Sequence, residues 1–300
     1  MKILITRANG LVGQKLKSEI LRRNNIQLIA TSRSPETNIL KQNYIFETLD
    51  ITNESETEYI LERYKPDVLI NTAAQGNVNE CEKDRSHCWQ VNTEAVKHLT
   101  RISSQLDIHF IHFSTDFVFS GTQPIYNEED IPEPVNFYGT CKKEAEDFMI
   151  SNAKKWSIIR TILVYGYVPN MKRNNIVMWI YQSLKDGKPL KIVNDQFRAP
   201  TFGEDLAWAT TEMAEKGKTG IFHLSGKEVM SIYNMALKIA DHFRLDKNLL
   251  NPLPSAALYE PALRPPHTRF DLYKAEKELN FFPRTFEESL NIIEKQIHNK

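Results

Sequence analysis

Tyr138 and Lys142 stand four residues apart in Tyr138-Gly139-Thr140-Cys141-Lys142, a spacing that sets both side chains on one face of a helix, one turn apart. An ammonium beside a phenol is useful chemistry. A free phenol titrates near pH ~10, so acid–base work at neutral pH needs roughly three units of depression, about 4 kcal/mol in favour of the phenolate. One cation about 4 Å away, at an effective dielectric of about 20, supplies roughly that amount. Such pairs also arise by chance on amphipathic helices, and support comes from upstream. Ile108 to Phe113 alternates branched or aromatic residues with His and reads as a strand. It runs into Ser114-Thr115-Asp116, placing hydroxyls at the end of a strand, where open parallel sheets bind ligands. There Thr115 can donate to a substrate carbonyl while Tyr138 delivers or removes a proton, although Ser114 and Thr115 also suit the capping of a turn.

The N-terminus supplies the other half of a hydride-transfer site. Lys2 to Thr6 is a short apolar strand with no room for a signal peptide before it. After it come Arg7-Ala8-Asn9-Gly10-Leu11-Val12-Gly13 and a helical run from Gln14 to about Arg23. Gly10 and Gly13 match the last two glycines of a dinucleotide-binding fingerprint, one letting backbone approach a diphosphate and the other letting helix pack on sheet. Arg7 replaces the first glycine. Either its side chain turns outward and helps hold a phosphate by charge, or it obstructs the adenosine side. A second strand over 26–31 ends in Ser32-Arg33 rather than in an acidic residue, which favours the 2′-phosphate of NADP(H) over NAD(H). A third strand over 44–49 ends in Asp50, and a fourth over 68–70 ends in Asn71-Thr72-Ala73-Ala74, small residues that leave room for a flat ring.

Around these motifs, 300 residues suit one large or two unequal domains, and 41% hydrophobic residues can supply a core. The 38 basic and 38 acidic side chains are spread along the chain. No basic block argues for nucleic acid, and no apolar run approaches the roughly 20 residues of a membrane span. Cys81, Cys88 and Cys141 have no metal-ligand spacing; reduced thiols and a cytoplasmic location are the expectation, with Cys141 read as a buried inert thiol and no metal assigned. The strand–helix alternation predicts a doubly wound α/β parallel sheet: a dinucleotide-binding domain over 1–168, and a smaller lobe over 169–300, mainly for substrate, with a strand near 219–224 returning to the main sheet. Helices are predicted over about 176–185, 204–215, 233–243 and 286–298, and a short strand over 190–194. The prolines at 252, 254, 261, 265 and 266 mark an irregular segment. Met171 to Asn175 has the composition of a loop that could close over the pocket.

These residues carry a resemblance. Thr6 to Gly13, Asn71 to Ala74, Val91-Asn92, Ser114 to Phe119, Tyr138-Gly139-x-x-Lys142 and Arg160-Thr161 resemble the extended short-chain dehydrogenase/reductases. Asp195-Gln196-Phe197-Arg198-x-Pro200-Thr201, Glu204 to Ala207, Gly220 to Gly226, Arg264-Pro265 and Asp271 narrow it to the dTDP-4-dehydrorhamnose reductase family, over nearly the whole chain. The resemblance implies reduction of the 4-keto group of a nucleotide-linked deoxysugar, most simply dTDP-4-dehydrorhamnose to dTDP-rhamnose. Thr115, Tyr138 and Lys142 are then the catalytic trio, with Lys142 lowering the tyrosine pKa and binding the nicotinamide ribose, and Asn92 helping to place Lys142 through water. The implied cofactor residues are Arg7, Asn9, Gly10, Leu11, Val12, Ser32, Arg33, Asp50, Ile51, Ala73, Ala74 and Asn92 together with Tyr138 and Lys142. Gln75, Val78, Asp116, Phe117 and Arg198 would meet the substrate. The partners implied are a nucleotide sugar and, as one option, a second copy in a homodimer.

Three positions depart from the family. Gln75-Gly76 replaces an aromatic-Thr pair, Phe117 a frequent Tyr, and Leu163 a frequent Trp. They touch the substrate side, and losing hydrogen-bonding groups there changes discrimination by orders of magnitude. Tyr126 to Pro132 and Met230 to Phe243 also resemble a non-catalytic branch, the regulatory β subunit of methionine adenosyltransferase, which implies NADP as a structural ligand and an adenosyltransferase partner.

Overall fold

The computed structural model describes residues 1–36, 43–170 and 174–298. Seven strands form its central sheet: β1 Lys2–Thr6, β2 Gln27–Ser32, β3 Ile45–Thr48, β4 Val68–Asn71, β5 His109–Thr115, β6 Trp156–Thr161 and β7 Gly220–Leu224. All pair in parallel, in the order β7-β6-β5-β4-β1-β2-β3. Strand β1 shows why. Ile3 and Ile5 point into one core and Leu4 into another, all fully buried, so both faces of the sheet need helices over them. On one side lie helices Leu11–Ile20 and Gly203–Lys216; on the other, Glu54–Tyr64, Ala95–Gln105 and Phe137–Asn152. The strand order reverses between β1 and β4, which opens a crevice at their C-terminal ends.

The helix Leu11–Ile20 starts three residues earlier than the sequence predicts. A Cβ on Gly13 would collide with the carbonyl oxygen of Arg7 and the backbone of Ala8, so the absent side chain lets the helix's first turn form against the strand end. Strand β5 extends through Thr115, pairing with Thr161 of β6. Its hydroxyls are part of the strand rather than of a turn beyond it.

From residue 174 onward, helices Ile176–Lys185, Ile232–His242 and Phe286–His298 bury Val177, Ile180, Met235, Ile239, Leu290 and Ile293 in a third core, apolar positions spaced at helical intervals. Strand β7 nevertheless returns to pair with β6. The proline-rich segment is less irregular than expected: Leu250–Leu253 pairs in parallel with Leu190–Val193. In a two-stranded sheet, the missing N–H of Pro252 is tolerated at the edge. Of the expected closing loop, Met171 to Arg173 lie outside the described residues; Asn174 and Asn175 line the crevice.

Candidate active site

The crevice is a cavity of about 950 Å³. Arg7, Asn9, Gly10, Leu11 and Val12 form one wall, with Ser32, Arg33, Asp50 and Ile51 beyond them at the ends of β2 and β3. Ala73 and Ala74 follow β4, and Thr115, Asp116, Phe117 and Tyr138 close the far side with Gln75, Val78 and Arg198. Lys142 and Asn92 are buried behind this wall.

Gly10 caps the helix Leu11–Ile20 without a side-chain hydrogen bond, and Leu11, Val12 and Gly13 line the cavity there. The first-turn N–H groups of such a helix are a ready cradle for a diphosphate. Arg7 adopts φ 51°, the left-handed conformation for which a glycine stands at this point of the fingerprint. Its Nη1 donates to the carbonyl oxygen of Ala74 at 2.7 Å. The side chain thus runs across the crevice from the end of β1 to the end of β4. Arg33 is exposed at the rim, whereas Asp50 turns its carboxylate to Thr52 N and Oγ1 (3.0 and 2.8 Å).

Asn136 caps the helix Phe137–Asn152, its Oδ1 accepting from Gly139 N at 2.8 Å. Gly139 in turn seats the helix on the loop after β5, because a Cβ there would collide with the carbonyl oxygen of Phe117. This contact brings Tyr138 to the end of β5, where the Thr115 hydroxyl donates to Asp116 Oδ1 at 3.1 Å, and sets the phenol ring edge-on to Phe117, centroids 6.1 Å apart. Thr115 also accepts from Phe117 N at 3.2 Å, so the turn-capping and ligand-facing roles coexist.

Here the structure corrects the expected electrostatics. Burial, then the nearby Asp116 carboxylate, push the Tyr138 phenol well above its ordinary value; the Thr115 side chain opposes them. Lys142 points elsewhere: its Nζ donates to Phe113 O at 2.6 Å and lies 2.8 Å from His112 Nε2. Burial lowers its pKa to about 8. Asn92 departs from expectation too. Its Oδ1 accepts from Gln75 N (2.9 Å), and its Nδ2 donates to Gln75 O (3.1 Å) and Cys88 Sγ (3.2 Å). It fixes the substrate-side loop directly, from the π-helical turn Gln90–Glu94.

Asp116 is buried, its Oδ2 accepting from Thr268 Oγ1 at 2.6 Å with Arg198 Nε 3.7 Å away. Burial raises the Asp116 pKa and the Arg198 guanidinium opposes the rise. Arg198 is held by Pro265 O and Phe197 O at 2.6 and 2.7 Å, which joins the irregular segment to the site. The three thiols form one buried cluster, Cys88 and Cys141 Sγ 3.8 Å apart. No metal-holding group of three His, Cys, Asp or Glu occurs among the described residues.

Sequence reasoning missed Trp179, Lys191, Gln196, Leu258 and Arg264 on the cavity wall, and His112 behind it. Trp179 left a signal: it falls off the buried face of its helix, which runs through Val177, Ile180, Tyr181 and Leu184, and is 41% exposed. A tryptophan on the polar side of an amphipathic helix points to a ligand or partner. Gln196 and Arg264 lay in the motifs that carry the family resemblance; for Lys191, Leu258 and His112 the sequence holds no comparable signal.

Fold and site together define an extended short-chain dehydrogenase/reductase, an oxidoreductase scaffold. The chain belongs to the RmlD substrate binding domain family, whose pattern it matches over residues 1–298. It is 30% identical to a dTDP-4-dehydrorhamnose reductase of Aggregatibacter actinomycetemcomitans, covering 97% of this chain and 98% of that one. It is also 29% identical to methionine adenosyltransferase 2 subunit beta of Bos taurus, over 92% of this chain and 81% of that one. The crystal structure of a dTDP-4-dehydrorhamnose reductase from Bacillus anthracis in complex with NADP superposes with a TM-score of 0.84 at 25% identity, covering 98% of this chain and 99% of that one. Sugar-nucleotide reduction is the coarse function this membership carries. No helix among the described residues is long and apolar enough to cross a membrane.

Proposed function

We propose that the protein uses NADPH to reduce the 4-keto group of a nucleotide-linked deoxysugar, with dTDP-4-dehydrorhamnose as the first substrate to try and NADH as the weaker cofactor. One observation carries this reading: Thr115 and Tyr138 open into the same cavity as the first turn of the helix Leu11–Ile20, which has no side-chain cap. When bound, the nicotinamide supplies the hydride. Gly10, Leu11 and Val12 hold the diphosphate, with Asn9 and Arg7 beside it. Ser32 and Arg33 receive the 2′-phosphate, Asp50 and Ile51 also meet the cofactor, and Ala73 and Ala74 leave room for a flat ring.

Thr115 donates to the sugar's C4 oxygen as charge develops on it, and Tyr138 gives that oxygen its proton. Burial keeps the phenol protonated until then, which suits a general acid. Lys142 lies one turn along the helix, docked on Phe113 O and beside His112, and draws the phenol's pKa down on turning to the pocket; Asn92 holds the loop at Gln75 that the sugar meets. Gln75, Val78, Asp116, Phe117 and Arg198, with the lobe from 169 to 300, form the sugar-nucleotide side. A cytoplasmic location and a homodimer complete the reading, the latter checked by sedimentation.

A second reading, a non-catalytic NADP-binding regulatory subunit, is favoured by the similarity to the adenosyltransferase β subunit. The decisive experiment follows nicotinamide absorbance as purified protein, NADPH and dTDP-4-dehydrorhamnose are mixed. Turnover that vanishes in Tyr138→Phe supports the reductase. No turnover, with tight NADPH binding and capture of a methionine adenosyltransferase, supports the regulatory reading.

A further inference from the structure

His112 lies at the centre of a hydrogen-bond chain whose donors and acceptors can be counted. The chain starts at Thr6. Its hydroxyl oxygen accepts from Thr72 N at 3.1 Å, and the hydroxyl donates to Asn71 Oδ1, 2.6 Å away. Asn71 Oδ1 also accepts from Ala73 N at 3.1 Å. Two donors therefore fix which end of the Asn71 amide is oxygen, and its Nδ2 must donate to His112 Nδ1, 3.1 Å away. A neutral imidazole carries one proton. With Nδ1 accepting, that proton sits on Nε2, which faces Lys142 Nζ at 2.8 Å.

An N–H facing an ammonium finds no lone pair to accept it. An amine has one, so a neutral Lys142 satisfies every group in the chain: it accepts from His112 Nε2 and donates to Phe113 O at 2.6 Å. Moving the imidazole proton to Nδ1 would accommodate an ammonium but set two donors against each other at Asn71. Thr6, Asn71, His112 and Lys142 are all buried, so solvent does not relieve a mismatch between their side chains.

We propose that His112, held in its Nε2–H tautomer by Asn71, is a positioning residue that docks Lys142 as a neutral amine, and that Lys142 takes up a proton as it leaves His112 to face the pocket. The proposal rests on the reading of Lys142 as the cation of the site. It gives that lysine two states, a docked amine and a forward-facing ammonium, and couples its charge to its position.

The other groups facing Lys142 do not supply this coupling. Glu146, one turn along the same helix, favours the charged form but is bonded to Arg160 of β6, at 2.7 Å from Nη2. Cys141 and Cys88 are the remaining ionisable neighbours and act in the same direction as Glu146. His112 feels Lys142 as its one significant charge, and burial with that charge keeps the ring neutral.

The first readout needs no cofactor. The side-chain Cε signal of Lys142 in ¹³C-lysine-labelled protein, identified by its loss in Lys142→Met, is followed against pH by NMR. In the wild type it titrates well below an ordinary lysine. In His112→Gln, an amide oxygen can replace the Nε2–H; in Asn71→Asp, a carboxylate accepts from Nδ1–H and turns Nε2 into an acceptor. Each raises the midpoint by about one pH unit or more, toward the ordinary value of about 10.4. The alkaline limb of kcat/KM moves up with it, which a merely structural role for His112 would not produce. An ordinary lysine midpoint in the wild type, or an unmoved midpoint in the variant or variants that fold, overturns the proposal. A shifted midpoint in a protein that does not bind NADPH overturns instead the functional reading and leaves the His112–Lys142 relationship standing.

Discussion

Arg7 reaches from the end of β1 to the end of β4 and donates to the carbonyl oxygen of Ala74 at 2.7 Å, tying together the two strands between which the sheet order reverses. The residue does this from a left-handed backbone, φ 51°, which costs an L-residue of order 1 kcal/mol or more. Arg7→Gly removes both the strain and the charge. We expect thermal stability to rise by about 1 kcal/mol and NADPH binding to weaken about tenfold, some 1.4 kcal/mol, measured by calorimetry and by nicotinamide fluorescence. Tighter NADPH binding in the variant would mean that the side chain obstructs the cofactor.

Arg33, exposed at the crevice rim, is the residue we propose reads a 2′-phosphate. In Arg33→Ala we expect the NADPH dissociation constant to rise by about tenfold or more, the loss of one charge-assisted contact, with that for NADH unchanged. An equal loss for both cofactors would assign Arg33 to another part of the nucleotide.

Tyr138→Phe keeps the ring that stands edge-on to Phe117 and removes only the hydroxyl. The fold should be intact by circular dichroism and kcat lower by about 10²- to 10⁴-fold, the usual worth of a general acid. A variant turning over at the wild-type rate would remove the phenol from the mechanism.

Buried histidines set the acid limit of stability. Burial lowers His109 to about 4 and holds His112 and His223 well below their ordinary value. In the unfolded chain they take up protons below about pH 6.5; in the folded protein they resist until much lower pH. The unfolded state then binds more protons, so stability is full above about pH 6.5 and declines as pH falls below it. Denaturant midpoints measured between neutrality and pH 5 should fall steadily, and a flat profile would show that these rings are charged in the fold.

Glu146 and Arg160 form an ion pair almost wholly removed from solvent, with side chains 1% and 2% exposed. Glu146→Ala leaves the guanidinium buried without its counter-charge and is expected to cost about 3–5 kcal/mol, read from urea unfolding.

Much of the site was legible in the sequence because its parts are local. Gly10 and Gly13, Thr115, and the Tyr138–Lys142 pair each lie at a strand end or within one helical turn, so spacing alone foretold which surfaces they share. What spacing could not foretell was direction. Lys142 spends its donors on β5, and Asn92 on the backbone of Gln75 and the thiol of Cys88, because partners in a buried network are chosen across elements far apart in sequence. The fold was legible for the same reason, its strands being short apolar runs bounded by turn residues. The exception was Leu250–Leu253, where prolines hid a strand whose pairing depends on Leu190–Val193 some sixty residues earlier.

Gly139 seats the helix Phe137–Asn152 against the carbonyl oxygen of Phe117 and the ring of Pro134. From Phe117 that seat uses the backbone, not the side chain. Gln75, Phe117 and Leu163 can therefore drift in evolution, or be exchanged by an engineer, while the proton donor keeps its station. A lineage built this way can try new sugars without rebuilding its chemistry, and so can a library made at those three positions.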